Sequence, residues 1–293
     1  MLTDLGHRPL IVAAVTPQTA DGTRLDEAAI PPYADFLTSH GADGVFACGT
    51  TGEGVLLSLD ERRRTAEAFR AALTGTLIVH AGAQTTVDTV VLAMHAREIG
   101  ADAVAVIAPP YFPLDDDSLT AHFVAAARAA APLPFYCYAF TARSGYPLPV
   151  EVIRRIGASV DNLAGLKVSE SPFDRVLPYL DLGLPVLIGN EPLIPDGIAR
   201  GAIGSVSGMA AAFPDVVRAA LDDPDDAAAS RLGELRSVME ASGQFIAAAK
   251  HVLGVRGVPV GPDMRAPLRR LTVDEAQTLE AGIGAFLPAE TPV

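Results

Sequence analysis

Lys167 lies inside the apolar run Leu163-Ala164-Gly165-Leu166-Lys167-Val168. An ammonium group in such surroundings is poorly solvated, so its pKa falls. The neutral amine that results attacks a ketone carbon and forms a Schiff base. The competing reading is a lysine paired with a buried carboxylate, or one that reaches water at a strand end. Composition bears on the choice. The 22 basic residues are 20 Arg and two Lys, Lys167 and Lys250. Where only positive charge is needed this chain uses arginine, and arginine cannot form the imine. Lysine at 167 therefore points to covalent chemistry. Lys250 shows no such chemical reason.

Tyr138 sits in the preceding apolar run, Leu133–Phe140. A phenol beside an imine can move protons between carbinolamine and substrate oxygens. Taken singly, a core tyrosine with a satisfied hydroxyl is the commoner case, and Tyr136, deeper in the run, is read that way. Gly49-Thr50-Thr51-Gly52-Glu53 is a tight loop with two hydroxyls and exposed backbone N–H groups. Such loops hold carboxylates. It is neither a P-loop nor a dinucleotide fingerprint. Glu53 reads as structural.

These residues need elements to bring them together. Eight strand-like runs recur: Pro9–Pro17, Gly44–Gly49, Thr76–Gly82, Ala103–Pro110, Leu133–Phe140, Leu163–Glu170, Pro185–Glu191 and Ala202–Gly208. They are apolar without alternation, as strands covered on both faces are. Helical segments separate them. Ile30, Tyr33, Ala34 and Leu37, and again Val87, Val90, Val91 and Met94, have the spacing of one buried helix face. Ser58-Leu59-Asp60-Glu61 reads as a capping box and Ser171-Pro172 as a helix start. Gly41-Ala42-Asp43, Gly100-Ala101-Asp102 and Gly201-Ala202-Ile203 each precede a strand, with the glycine placed to end a helix. Eight strands alternating with helices predict an α/β fold, a closed (β/α)8 TIM barrel. A doubly wound sheet would carry a Gly-rich turn after the first strand; here Thr16-Pro17-Gln18-Thr19 follows. The expected division is a barrel over residues 1–224 and a C-terminal helical extension over 225–293, including helices over Gly243–Leu253 and Thr272–Leu287.

In a barrel the active site lies at the C-terminal ends of the strands. That filter selects Cys48 to Glu53, Tyr111, Tyr138, Arg143, Lys167, Gly189-Asn190, Ser205 and Ser207. The six histidines, including His80 at the end of a strand, show no metal-ligand spacing, so no metal is expected. Cys48 and Cys137 read as buried small hydrophobes, and the absence of a disulfide framework suits a cytoplasmic location. Asp115-Asp116-Asp117 reads as a solvated helix N-terminus. Met1–Pro9 carries Asp4 and no long apolar core, so no signal peptide is read there. The net charge of −13 argues against nucleic acid or an anionic membrane as a partner.

Together these residues resemble the dihydrodipicolinate synthase/N-acetylneuraminate lyase family over nearly the whole chain. Gly49 to Glu53 looks like its carboxylate-binding motif, Tyr138 to Gly145 like its tyrosine motif, Gly165-Leu166-Lys167 like its Schiff-base motif, and Gly201 to Ser205 like its strand-8 segment. The resemblance implies a pyruvate-dependent aldolase or condensing enzyme with no cofactor beyond the imine at Lys167. It further implies Tyr138, Thr50 and Tyr111 as a proton relay. Thr50 and Thr51 would hold the keto-acid carboxylate, Arg143 a second carboxylate, and Gly189 and Ile203 would line the pocket. The family's usual assembly is a homotetramer in which a tyrosine crosses to a neighbouring subunit. Arg143 places condensation of pyruvate with aspartate semialdehyde first. Cleavage or dehydration of a 2-keto-3-deoxy sugar acid or an N-acetylneuraminate-like substrate is the alternative, and a keto-acid-binding barrel without turnover the second. Pro110-Tyr111-Phe112 stands where the synthases read Tyr-Tyr-Asn, Tyr138-Ala139-Phe140-Thr141 where they read Tyr-Asn-Val-Pro, and Val168-Ser169-Glu170 follows the lysine. These departures leave imine chemistry intact and the second substrate open.

Overall fold

The computed structural model describes residues 2, 5–19 and 22–288. Met1, Thr3 and Asp4, on which part of the N-terminal reading rests, lie outside the described residues. Eight parallel strands close into a barrel in chain order: β1 Leu10–Ala13, β2 Gly44–Ala47, β3 Thr76–His80, β4 Ala103–Ile107, β5 Phe135–Ala139, β6 Leu163–Val168, β7 Val186–Ile188 and β8 Gly204–Ser207. The architecture is the expected (β/α)8 barrel. The strands are shorter than the apolar runs that announced them. Segments such as Ala14–Pro17 and Ala108-Pro109 are mostly buried yet have left the ladder. Hydrophobic runs report burial, and burial continues into the loops above a barrel.

Alternation sorts each strand between two cores. Ile11, Ala13, Phe46, Ile78, Ala105, Ile107, Tyr136, Tyr138, Leu187 and Val206 fill the barrel interior. Leu10, Val12, Val45, Leu77, Val79, Val104, Cys137 and Leu166 face the helical shell. Both sets are buried, which is why the strands read as unbroken apolar runs.

The helices around the barrel are α1 Ile30–Ser39, α2 Leu59–Ala72, α3 Thr86–Glu98, α4 Asp116–Ala130, α5 Thr141–Ser144, α6 Val150–Gly157, α7 Leu177–Leu180, α8 Ile194–Ala199 and α9 Pro214–Asp222. The face of α1 is the expected one, Ile30, Tyr33, Ala34 and Leu37. Ser58 and Glu61 form the capping box of α2. Asp115 caps α4 through Ser118 N–H. Gly41, Gly100 and Gly201 end α1, α3 and α8 with positive φ. Asp43 and Asp102, two residues beyond the first two of these, accept from the N–H of Leu10 and Leu77 at 2.8 Å and tie the foot of one strand to the next.

Two local expectations are corrected. On α3 the buried face is Thr89, Leu92, Ala93 and Ala96, while Val87 is 72% exposed and Met94 39%. Small Ala93 and Ala96 let the helix approach the barrel closely; the larger valines and methionine lie outside. Ser171-Pro172 starts no side-chain-capped helix. A short 3-10 turn, Phe173–Arg175, follows Pro172 without a side-chain cap bond.

Beyond α9 come α10 Asp226–Glu240, α11 Phe245–Val255 and α12 Val273–Ile283. Thr272 and Glu275 form the capping box of α12. These helices are joined to the barrel mouth by buried polar contacts. Arg236 on α10 reaches Glu191 after β7, and Lys250 on α11 reaches Glu53 after β2. No helix among the described residues is long and apolar enough to cross a membrane.

Candidate active site

Lys167 and Tyr138 are direct partners across β5 and β6. Both follow the inward parity, so both point into the upper barrel. The Lys167 ammonium position lies 4.2 Å from the ring centres of both Phe46 and Tyr138. Lys167 is 4% exposed. Burial brings its pKa down to about 7, partly opposed by the Glu191 carboxylate. Near neutral pH a substantial share of the amine is therefore unprotonated and nucleophilic.

Burial pushes the Tyr138 phenol up to about 12, against the pull of hydrogen bonds with Thr50 and Ser169. It keeps its proton across the physiological range and can deliver it. Thr50 Oγ1 lies 3.4 Å from the Tyr138 hydroxyl. His80, also inward, stacks edge-on against Tyr138. Its Nδ1 contacts Cys48 O at 3.1 Å and its Nε2 accepts from Ile107 N–H. Burial and the neighbouring cations Arg62 and Lys167 hold its pKa well below the usual histidine value. It is neutral, and both ring nitrogens have partners.

The loop after β2 turns sharply. Cys48 and Glu53 flank it in the left-handed region, with φ of 59° and 57°. Gly54 is required: a Cβ there would lie 1.9 Å from Cys48 O. Glu53 N–H donates to Thr50 O and Gly54 N–H to Gly49 O. The N–H groups of Thr50 and Thr51 donate to no described protein group. Two such N–H groups beside two hydroxyls have the chemistry that suits a carboxylate, and Thr50 and Thr51 line the same cavity as Lys167.

A cavity of about 450 Å³ joins these groups, lined by Thr50, Thr51, Tyr138, Arg143, Lys167 and Gly189 among others. Arg143 stands exposed on α5 with its guanidinium 5.8 Å from the Phe140 ring centre. Glu170 fixes that short helix by accepting from Thr141 N–H at 2.7 Å and Thr141 Oγ1 at 2.9 Å. Gly189 is needed for close approach, because a Cβ would lie 2.1 Å from Ser169 Oγ.

Two expected site residues are elsewhere. Ile203 precedes β8 and lines a depression at the opposite end of the barrel with His7, Arg8 and Leu221. The lining residue on that strand is Val206, which has the inward parity. Tyr111 is 82% exposed, in the left-handed region, edge-on to Phe112 and outside this cavity. Ser205 and Ser207 face outward and hydrogen-bond to Ile188 O and to Glu191.

Other lining residues escaped the sequence reading. Ser169 shares the inward parity of Lys167 and was legible by that rule. Glu191 is buried, accepts from Ser207, Gly208 and Met209 on one oxygen, and pairs with Arg236 on the other at 3.2 Å. Arg236 also donates to Asn190 Oδ1 and pairs with Glu240. Gln244 and Phe245 complete that wall. Arg236, Glu240, Gln244 and Phe245 come from the C-terminal helices and carry no motif.

Residues 7–285 match the Dihydrodipicolinate synthetase family. The chain belongs to that family. Family members include N-acetylneuraminate lyases: that of Gallus gallus is 32% identical over 283 residues, covering 88% of this chain and 89% of that protein. An uncharacterized DapA-like lyase of Halobacterium salinarum is 33% identical over 290 residues, covering 95% and 94%. Among solved structures, the N-acetylneuraminate lyase of Proteus mirabilis superposes with a TM-score of 0.86 at 28% identity, covering 96% of this chain and 99% of that one. The chain is thus a lyase of the family's aldolase class. Its relatives span both synthase-like and N-acetylneuraminate-lyase-like members.

Proposed function

We propose that this chain makes or breaks a carbon–carbon bond next to pyruvate, or a related 2-keto acid, through an imine at Lys167 and without a further cofactor. The observation that carries this reading is the placement of Lys167, buried between two aromatic rings, titrating at about 7, with Tyr138 beside it on the neighbouring strand. The neutral amine adds to the keto carbon. Tyr138 donates a proton to the departing hydroxyl, water leaves, and a cationic imine remains. In the cleavage direction the C4 hydroxyl gives its proton through Tyr138, the C3–C4 bond breaks, and its electrons pass to the imine as an enamine. In synthesis the cationic imine of pyruvate loses a C3 proton to the Tyr138 phenolate, the resulting enamine attacks an aldehyde, and Tyr138 returns the proton to the new alkoxide. The N–H groups and hydroxyls of Thr50 and Thr51 hold the keto-acid carboxylate. Incubation with pyruvate followed by borohydride should leave a reduced adduct on the Lys167 peptide, read by mass spectrometry. An unmodified Lys167 would sink the proposal.

For the second substrate, the exposed guanidinium of Arg143 at the mouth supports an aldehyde with its own carboxylate, as in condensation with aspartate semialdehyde. The hydrogen-bonding wall of Glu191, Arg236, Glu240 and Gln244 favours a second reading, cleavage of a polyhydroxylated 2-keto-3-deoxy acid. The resemblance to N-acetylneuraminate lyases points the same way. A panel of aldehydes with pyruvate, assayed in both directions on the parent and Arg143→Ala, separates them. Loss confined to substrates with a second carboxylate supports the first; undiminished turnover supports the second. The proposed assembly is a homotetramer in which Tyr111, exposed on its own subunit, reaches a neighbour's site.

A further inference from the structure

The chain keeps two lysines, and the imine chemistry uses one. Lys250, on α11, is the other. Its side chain and that of Glu53 are both fully buried, with Nζ 2.5 Å from Glu53 Oε1. Nζ also donates to Asp263 O at 2.6 Å. The second Glu53 oxygen accepts from Arg265 N–H at 2.8 Å, and the Arg265 guanidinium continues to Glu61 on α2. Among the described residues, both hydrogen bonds to the Glu53 carboxylate, one from an ammonium and one from a backbone amide, come from the C-terminal segment. A compact ammonium satisfies two acceptors in a closed space, which a planar guanidinium fork is not shaped to do.

Glu53 is the last residue of the Thr50–Thr51 loop. It occupies a left-handed conformation that non-glycine residues seldom adopt, and its own N–H closes the turn onto Thr50 O at 3.1 Å. Anchoring its side chain from below fixes where the N–H groups of Thr50 and Thr51 point. Buried ion pairs add little net stability compared with apolar residues of the same size. What such a pair retains here is the geometry of the loop it ends.

We propose that Lys250 and Glu53 are a positioning pair that holds the Thr50–Thr51 backbone in the shape that binds the keto-acid carboxylate, so that the C-terminal helices control affinity for the first substrate. The inference rests on the Schiff-base reading above. Lys250 does not line the cavity, and the carboxylate of Glu53, which borders it, is committed to Lys250 and Arg265 N–H.

The test is the double variant Glu53→Gln/Lys250→Met, which removes both charges at nearly constant volume, with Glu53→Asp as a second variant that keeps the charge and shortens the reach. In both, KM for pyruvate should rise about tenfold or more, the equivalent of one charge-assisted hydrogen bond, while kcat stays within about twofold of the parent, the split expected when binding geometry alone is lost. Borohydride trapping of Lys167 by pyruvate should then need correspondingly more pyruvate. Trapping by hydroxyacetone, a ketone without a carboxylate, should be unchanged. A merely structural pair would weaken both ketones together, and that result overturns the proposal. So does an unchanged KM for pyruvate in either folded variant. Failure of pyruvate to trap the parent enzyme would instead overturn the Schiff-base reading on which the pair's role depends.

Discussion

The proposed chemistry depends on one side chain held where it is costly to hold it. Lys167 is charged in the unfolded chain up to about pH 10.5 and in the folded protein only up to about 7. Below 7 the ammonium is present in both states, and the full desolvation cost opposes folding. Between those values the folded protein binds fewer protons than the unfolded chain, so this group makes stability rise with pH. Lys167→Met should therefore be inactive yet more stable at pH 7, by about 1–3 kcal/mol. The gain should shrink as pH approaches 10, which thermal melts at pH 7 and 9.5 would show. The rate of pyruvate trapping by the parent should fall as pH drops below about 7. Tyr138→Phe should lower kcat by about 10² to 10⁴ while still permitting trapping. Unchanged turnover would remove Tyr138 from proton transfer. Lys167 was legible in the sequence because charge inside an apolar run is anomalous. Ile203 was misplaced because only strand register decides which residues of a run point inward and how high they stand.

At the scale of elements, Gly189 and Ser169 meet just beyond the ends of β7 and β6, where Gly189 N–H donates to Val168 O and a Cβ would come within 2.1 Å of Ser169 Oγ. Gly189→Ala should force Ser169 away from the Tyr138 hydroxyl, reducing kcat and costing about 1–3 kcal/mol. Parental kcat with a parental denaturation midpoint would refute this. By contrast, Ser58→Ala on the capping box of α2 should cost about 0.5–2 kcal/mol with activity intact. The eight strands were legible because both of their faces are buried. The inner face of α3 was not: its valines have helical spacing, yet alanines make the contact. Hydrophobicity ranks side chains by size and polarity, whereas a helix lying close on a barrel selects small ones.

The whole molecule adds a wall that no motif announced. The C-terminal helices contribute Arg236, Glu240, Gln244 and Phe245 to the cavity and Lys250 to the loop beneath it. Tyr111 is left exposed on its own chain, and the proposed assembly would give it a role. If it acts across subunits, mixing Tyr111→Phe with inactive Lys167→Ala should restore activity above either alone. In such mixed oligomers an intact lysine meets an intact tyrosine. Activity equal to the sum of the two separate preparations would confine Tyr111 to its own subunit or to no role.

The sequence by itself determined the barrel and singled out the buried lysine to which the proposed chemistry is assigned. Eight doubly buried strands have one natural closure, and a lysine inside an apolar run of an arginine-rich chain stands out by its type alone. Only the tertiary structure decided what surrounds that amine. Side-chain direction depends on strand register, and long-range packing brings α10 and α11 over the mouth. It also explained the second lysine. Lys250 lies 197 positions from Glu53 in the chain and 2.5 Å from it in the fold, a relation that spacing along a sequence cannot express.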